Sequence, residues 1–153
     1  MSASRFDAVV DALVTALQGA PGLSGVTVSD GPPVTGDPLP EVVTVGFAFD
    51  DQDDVSAEIE QGYHDLGPAA KRDERVEVRC AVYSSNGNAD MGAARARCAV
   101  LLGEVESALR ASPTLGITEA LRVEVEVGTL RQSQSDRGAA AIVQFTVTAH
   151  SLI

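Results

Sequence analysis

Between Glu74 and Tyr83 the chain puts Val76, Val78, Cys80 and Val82 in one register and Arg75, Glu77, Arg79 and Tyr83 in the other, with Ala81 between them. Successive side chains of an extended strand point to opposite faces, so this pattern predicts a strand with one apolar side and one charged side. The rhythm returns where Leu121, Val123, Val125 and Val127 alternate with Arg122, Glu124 and Glu126. Strands that are apolar on one side only must be covered on that side by other elements of the fold.

Two amphipathic helices can do the covering. Phe6, Val9, Val10, Leu13, Val14 and Leu17 recur with the 3.6-residue period, which predicts a helix from about Ser4 to Gln18. Ser4 is its expected N-cap, Asp7 lies in its first turn, and Gly19 and Pro21 stop it. A second helix is predicted from about Ala89 to Ala111. Its stripe is Met91, Ala94, Cys98, Leu101, Leu102, Val105 and Leu109, with Arg95, Arg97, Glu104, Glu106 and Arg110 mostly toward solvent, and Ser112 and Pro113 end it.

Val26–Ser29 and Glu41–Phe49 read as strands, separated by Asp30–Pro40 with its four prolines and two glycines. From Ala139 to about Ala149 both registers are largely apolar, Ala141, Val143, Phe145 and Val147 against Ala140 and Ile142. That suits the middle of a sheet, or one packed on a neighbouring subunit. Two polar stretches read as loops. Asp50–Arg72 is acidic and weakly periodic, with one helical turn expected near Ser56–Glu60, and Thr129–Gly138 (TLRQSQSDRG) is the second. The predicted order is α-β-β-β-α-β-β: an α+β fold in one domain over 1–153. A mixed, mainly antiparallel sheet carries both helices on one face and leaves Arg75, Glu77, Arg79, Arg122, Glu124 and Glu126 on the other.

Composition narrows what such a domain does. With 22 acidic against 11 basic residues the net charge is −11, and no run of three Lys or Arg occurs. Phosphate backbones and anionic membranes are disfavoured partners. Aromatic residues make up 4%, with no Trp, which argues against stacking platforms for bases. Cys80 and Cys98 alone make no disulfide framework and read as two buried reduced thiols. The N-terminal stretch carries acids and lacks a signal-peptide core, and no apolar run is long enough to span a bilayer, so the expectation is a protein folded in the cytoplasm.

Catalytic motifs are missing: no nucleophile elbow, phosphate loop, dinucleotide fingerprint or zinc-protease helix occurs, and the histidines are His64 and His150. Asp50, Gln52 and Asp54 imitate the start of a calcium loop. However, Val55 stands where glycine is needed and Gln61 where the closing glutamate is needed. No enzyme activity, metal or cofactor is expected. Each polar stretch reads either as a mobile, solvated loop or as an arm that contacts a partner; the candidate contacts are Asp51, Asp53, Asp54, Tyr63 and His64 on the first and Arg131, Gln132, Gln134 and Arg137 on the second.

An amphipathic helix followed by VTVSDGPPVTGDPLPEVVTVGF, then RVEVRCAVYSSNGNADMGAARARCAVLLGEVESAL, then RVEVEVGTLRQSQSDRGAAAIVQFTVTAHSLI, makes a layout that runs from Phe6 to Leu152. It resembles the tail terminator proteins of long-tailed bacteriophages and their relatives in phage-like particles; the stretch Asp50–Arg72 has no counterpart in the general pattern. The resemblance implies a small virion subunit, assembled in the host cytoplasm, that closes a hexameric ring. Such a ring caps the tail tube, stops its polymerisation and meets the neck or head-completion protein, with DNA only as passing cargo. The alternatives are another head-to-tail joining or tail-completion subunit, and a small cellular α+β binding module.

Overall fold

The alternating segment belongs to a 15-residue strand, β4 (Arg72–Asn86), around which the sheet is organised. In the computed structural model, which describes residues 3–34, 40–50, 54–63, 67 and 71–153, the elements before it are α1 (Phe6–Gln18), a 3₁₀ turn (Pro21–Leu23), β1 (Thr27–Asp30), β2 (Glu41–Val45) and β3 (Ala57–Tyr63). After it come α2 (Met91–Ala111), β5 (Arg122–Ser135) and β6 (Gly138–Leu152). The sheet order is β1-β2-β4-β6-β5, with β3 also paired to β4. Among the described residues only the β1–β2 pair is parallel.

One edge of β4 is shared. β2 pairs along Cys80–Ser84 and β3 along Arg72–Val78, while the other edge pairs with β6 from Asp73 to Asn86. β6 is the middle strand that its two apolar registers predict, held between β4 and β5.

Both helices pack on one face. α1 buries Val9, Leu13, Val14 and Leu17, and α2 buries Ala94, Cys98, Leu101, Val105 and Leu109. They meet Val43, Val45, Val76, Val78, Cys80, Val82, Ala141, Phe145, Val147 and Ala149 in one continuous core. Each Val or Leu so buried contributes roughly 1.5–3 kcal/mol. The turn into α2 is fixed by Asn86, whose amide exchanges hydrogen bonds with the backbone of Asp90 at 2.8 and 3.0 Å. Asp90 then caps the helix by accepting the Ala93 N–H at 3.0 Å.

Four local expectations are corrected. Ala57–Tyr63 is a strand, not a loop with a helical turn near Ser56–Glu60, because the lower half of β4 offers it an unpaired edge. The stretch from Thr129 is not a loop: β5 continues to Ser135 after a register shift between Val127 and Leu130, and only Asp136 and Arg137 turn the chain into β6. A polar segment is held extended there by pairing with the apolar β6. Third, β2 stops at Val45 because Gly46 (φ 79°) and Phe49 (φ 54°) lie in the left-handed region and fold the chain back. Last, α1 starts at Phe6 with Arg5 as its N-cap residue; Ser4 Oγ accepts the Phe6 N–H at 3.2 Å instead.

Candidate functional site

The helix-free face of the sheet is charged, and strand register lays its charges out in rows. Glu60, Arg75, His150 and Arg122 stand side by side on β3, β4, β6 and β5. The next row is Glu58, Glu77, Thr148 and Glu124; the third is Arg79, Thr146 and Glu126. Residues two apart on a strand share a face, so the six residues Arg75, Glu77, Arg79, Arg122, Glu124 and Glu126 do come together.

The rows pair among themselves. Arg79 meets Glu58 across strands at 3.0 Å, and Arg75 meets Glu77 along β4 at 2.7 Å. Glu124 lies 3.9 Å from His150 Nε2. Arg122 points one guanidinium nitrogen at the carbonyls of Glu119 and Leu121, at 2.8 and 2.7 Å. Partly exposed pairs of this kind contribute about 0–1 kcal/mol each, so they order the surface more than they stabilise the fold. Along the whole first row runs a depression of about 520 Å³, lined by Glu60, Asp73, Arg75, Arg122 and His150 among others.

The segment after β2 covers the other end of this face. Phe47 and Phe49 pack with ring centroids 4.8 Å apart, and Phe49 stacks on Tyr83 at 5.9 Å. Thr44 Oγ1 donates to the Phe47 carbonyl and Gln144 Nε2 to that of Ala48. Arg131 reaches the Phe49 carbonyl at 3.4 Å. Val42, Thr44 and Ala81 are thereby buried outside the main core.

Of the candidate arm residues, Arg131, Gln132 and Gln134 lie on the exposed continuation of β5, and Arg137 lies in the turn after it. Gln132 accepts from Arg95 at 2.8 Å and Gln134 donates to the Ala89 carbonyl at 3.1 Å, so the base of α2 steadies this arm. Asp54 is exposed just before β3, and Tyr63 ends β3 with the Arg72 guanidinium 5.7 Å from its ring centroid. Asp51, Asp53 and His64 lie outside the described residues.

Sequence reasoning missed Glu58, Glu60 and His150. The first two alternate with Ala57 and Ile59, a short period-two signal masked by the acidity of the whole stretch. His150 continues the polar register of β6 beyond Thr146 and Thr148. Arg97 is not simply solvent-facing: it forks onto Glu41 with bonds of 2.6 and 3.0 Å, tying α2 to the start of β2, and this contact raises its pKa further.

The two cysteines have no catalytic setting. Cys80 and Cys98 are free and buried, and burial pushes their thiols up to about 12 and about 11. Their thiolate forms are therefore scarce at neutral pH. What the helix-free face offers is an extended array of acidic and basic side chains laid out in rows.

No family model matches the chain, and no curated protein matches it. Among solved structures, the chain is similar to one chain of the virion of a native gene transfer agent (GTA) particle, at 14% identity. The alignment covers 99% of this chain and 100% of that chain, with a TM-score of 0.61, so the two share one fold from end to end.

Proposed function

We propose that this chain is a structural virion protein of the tail terminator kind. In this reading six copies close a ring that caps the tail tube, stops its growth and offers a surface to the neck. The observation that carries it is the end-to-end correspondence in fold with a chain of a gene transfer agent virion. The charged face and the exposed β5–β6 arm add physical support. A ring closes through heterologous contacts, so each subunit needs two different surfaces that complement one another. Alternating Arg and Glu rows can pair across a subunit boundary as they do across strands.

A net charge of −11 fits a conduit for DNA, because phosphates find little counter-charge to displace from an acidic wall. The role is structural, with the tail-tube and neck proteins as partners and no catalysis.

Light scattering on the purified protein, alone and mixed with tail-tube subunits, tests this. Six copies of a 15.8 kDa chain give a particle of about 95 kDa. That mass, and arrest of tube growth on mixing, are the expected results. A monomer that leaves tube growth unchanged would overturn the reading.

A further inference from the structure

Three strand edges of the sheet are open among the described residues: the outer edges of β1, β3 and β5. β1 has only four residues, and short edges resist pairing. β5 and β3 are different.

β5 is the longest open edge. Its first part is covered, since the Val123 N–H points outward and donates to the Pro113 carbonyl at 3.1 Å. Beyond that point no other strand pairs with it among the described residues. Val127–Ser135 carries Arg131 as its one charge and has no proline or lysine, the usual guards of an edge strand. Val127 and Leu130 are 50% and 46% exposed. β3 matches it. The Arg79 N–H donates to the Ser56 carbonyl at 2.9 Å, so even-numbered residues of this segment turn their backbone groups toward β4. By the two-residue period, Ala57, Ile59 and Gln61 turn theirs outward. Ile59 and Tyr63 are exposed.

The two edges fit in direction, apolarity and charge. Counting antiparallel steps from β3 through β4 and β6 to β5, the outer strands run in opposite directions. A second copy in the same orientation therefore presents β3 antiparallel to β5, the more stable pairing. Ile59 stands opposite Val76 and Leu130 opposite Val143, so both exposed residues lie on the helix side of the sheet. Glu58 and Glu60 lie on the other side. Facing Glu124 and Glu126, they would repel; farther along β5 that side carries Arg131 instead.

We propose that β3 of one copy adds as an antiparallel strand to Val127–Ser135 of the next, so that the sheet runs on from subunit to subunit. The partner is a second copy of this chain, and the inference rests on the ring reading above. Ile59 and Tyr63 meet Val127 and Leu130 on the helix side, while Glu58 and Glu60 meet Arg131 on the other. Backbone hydrogen bonds supply the affinity and the side-chain pairs set the register. The contact joins two different edges, so it propagates head to tail and closes into a ring.

Leu130→Lys and Ile59→Lys place a charge on each exposed edge in turn. Light scattering is expected to show loss of ring mass to the 15.8 kDa monomer for both, with unchanged circular dichroism. A chain carrying both Ile59→Cys and Leu130→Cys, treated with a short bis-maleimide, is expected to give a ladder up to the hexamer. Each single variant is expected to stop at the dimer, because buried Cys80 and Cys98 do not react. The ladder also decides the matter if a lysine variant loses its fold. An intact ring in both folded lysine variants, or no ladder from the double-cysteine chain when the wild-type protein forms rings, overturns the β3–β5 contact and leaves the ring reading standing. A parent that stays monomeric at every concentration overturns both.

Discussion

Glu74 Oε1 accepts the backbone N–H of Arg5 at 2.7 Å, joining residues 69 apart in sequence. The carboxylate is buried on β4 and sits at the N-terminus of α1, where unpaired N–H groups and the helix dipole favour negative charge. Its other oxygen accepts from Gln61 Nε2 at 2.6 Å, and the same amide donates to the Ala3 carbonyl at 2.7 Å. One acid thus ties the start of α1 to both β3 and β4.

Burial by itself would raise the pKa of Glu74. Hydrogen bonds from Ser4, the Arg5 N–H and Gln61, with the Arg5 charge, outweigh it and hold the group below its ordinary 4.5. A carboxyl depressed in the folded state contributes stability that is present above pH 4.5 and lost as pH falls through its lowered value. Glu74→Gln places an amide donor against the Gln61 amide and is expected to cost about 1–3 kcal/mol at pH 7. In thermal melts the gap between wild type and variant should close as pH falls below 4.5. A gap that is independent of pH would refute this account.

The two faces of β4 predict opposite outcomes for charge changes. Val78 is fully buried, so Val78→Asp puts a carboxylate into the core and should leave no cooperative unfolding transition. Arg75→Glu combined with Arg79→Glu changes side chains that are 46% and 29% exposed, and should keep the fold while weakening association. Circular dichroism with light scattering separates the two effects. A folded Val78→Asp protein would mean the faces are reversed.

Gly138 opens β6 with φ at 125°, and a Cβ there would lie 2.0 Å from the Asn86 carbonyl oxygen. Backbone of the β4–α2 turn cannot swing aside as a flexible side chain would. Gly138→Ala should therefore cost about 1–3 kcal/mol, read as a lower urea midpoint. An unchanged midpoint would show that the β5–β6 arm bends freely at its tip.

Cys80 and Cys98, with thiols pushed up to about 12 and about 11, are expected to be silent toward Ellman's reagent at pH 8 in the native protein. Both should react once the chain is unfolded in guanidinium. Rapid native-state labelling of either would show that the core opens at α2.

The sequence by itself determined the layers. Val76–Val82 and Leu121–Val125 alternate, α1 and α2 carry helical stripes, and β6 is apolar on both registers. These are local periodicities, and each constrains which side of its own element is buried. The charged face was legible for the same reason, since Arg75, Glu77 and Arg79 fill the register that the valines of β4 leave. Only the tertiary structure decided where polar segments pair. Ala57–Tyr63 and Leu130–Ser135 become strands because β4 and β6 present edges to them. Arg5 and Glu74, like Arg97 and Glu41, meet because the folded sheet brings them together. Backbone hydrogen bonds do not depend on side-chain polarity, so a polar strand is specified by its neighbour, and that neighbour lies far along the chain.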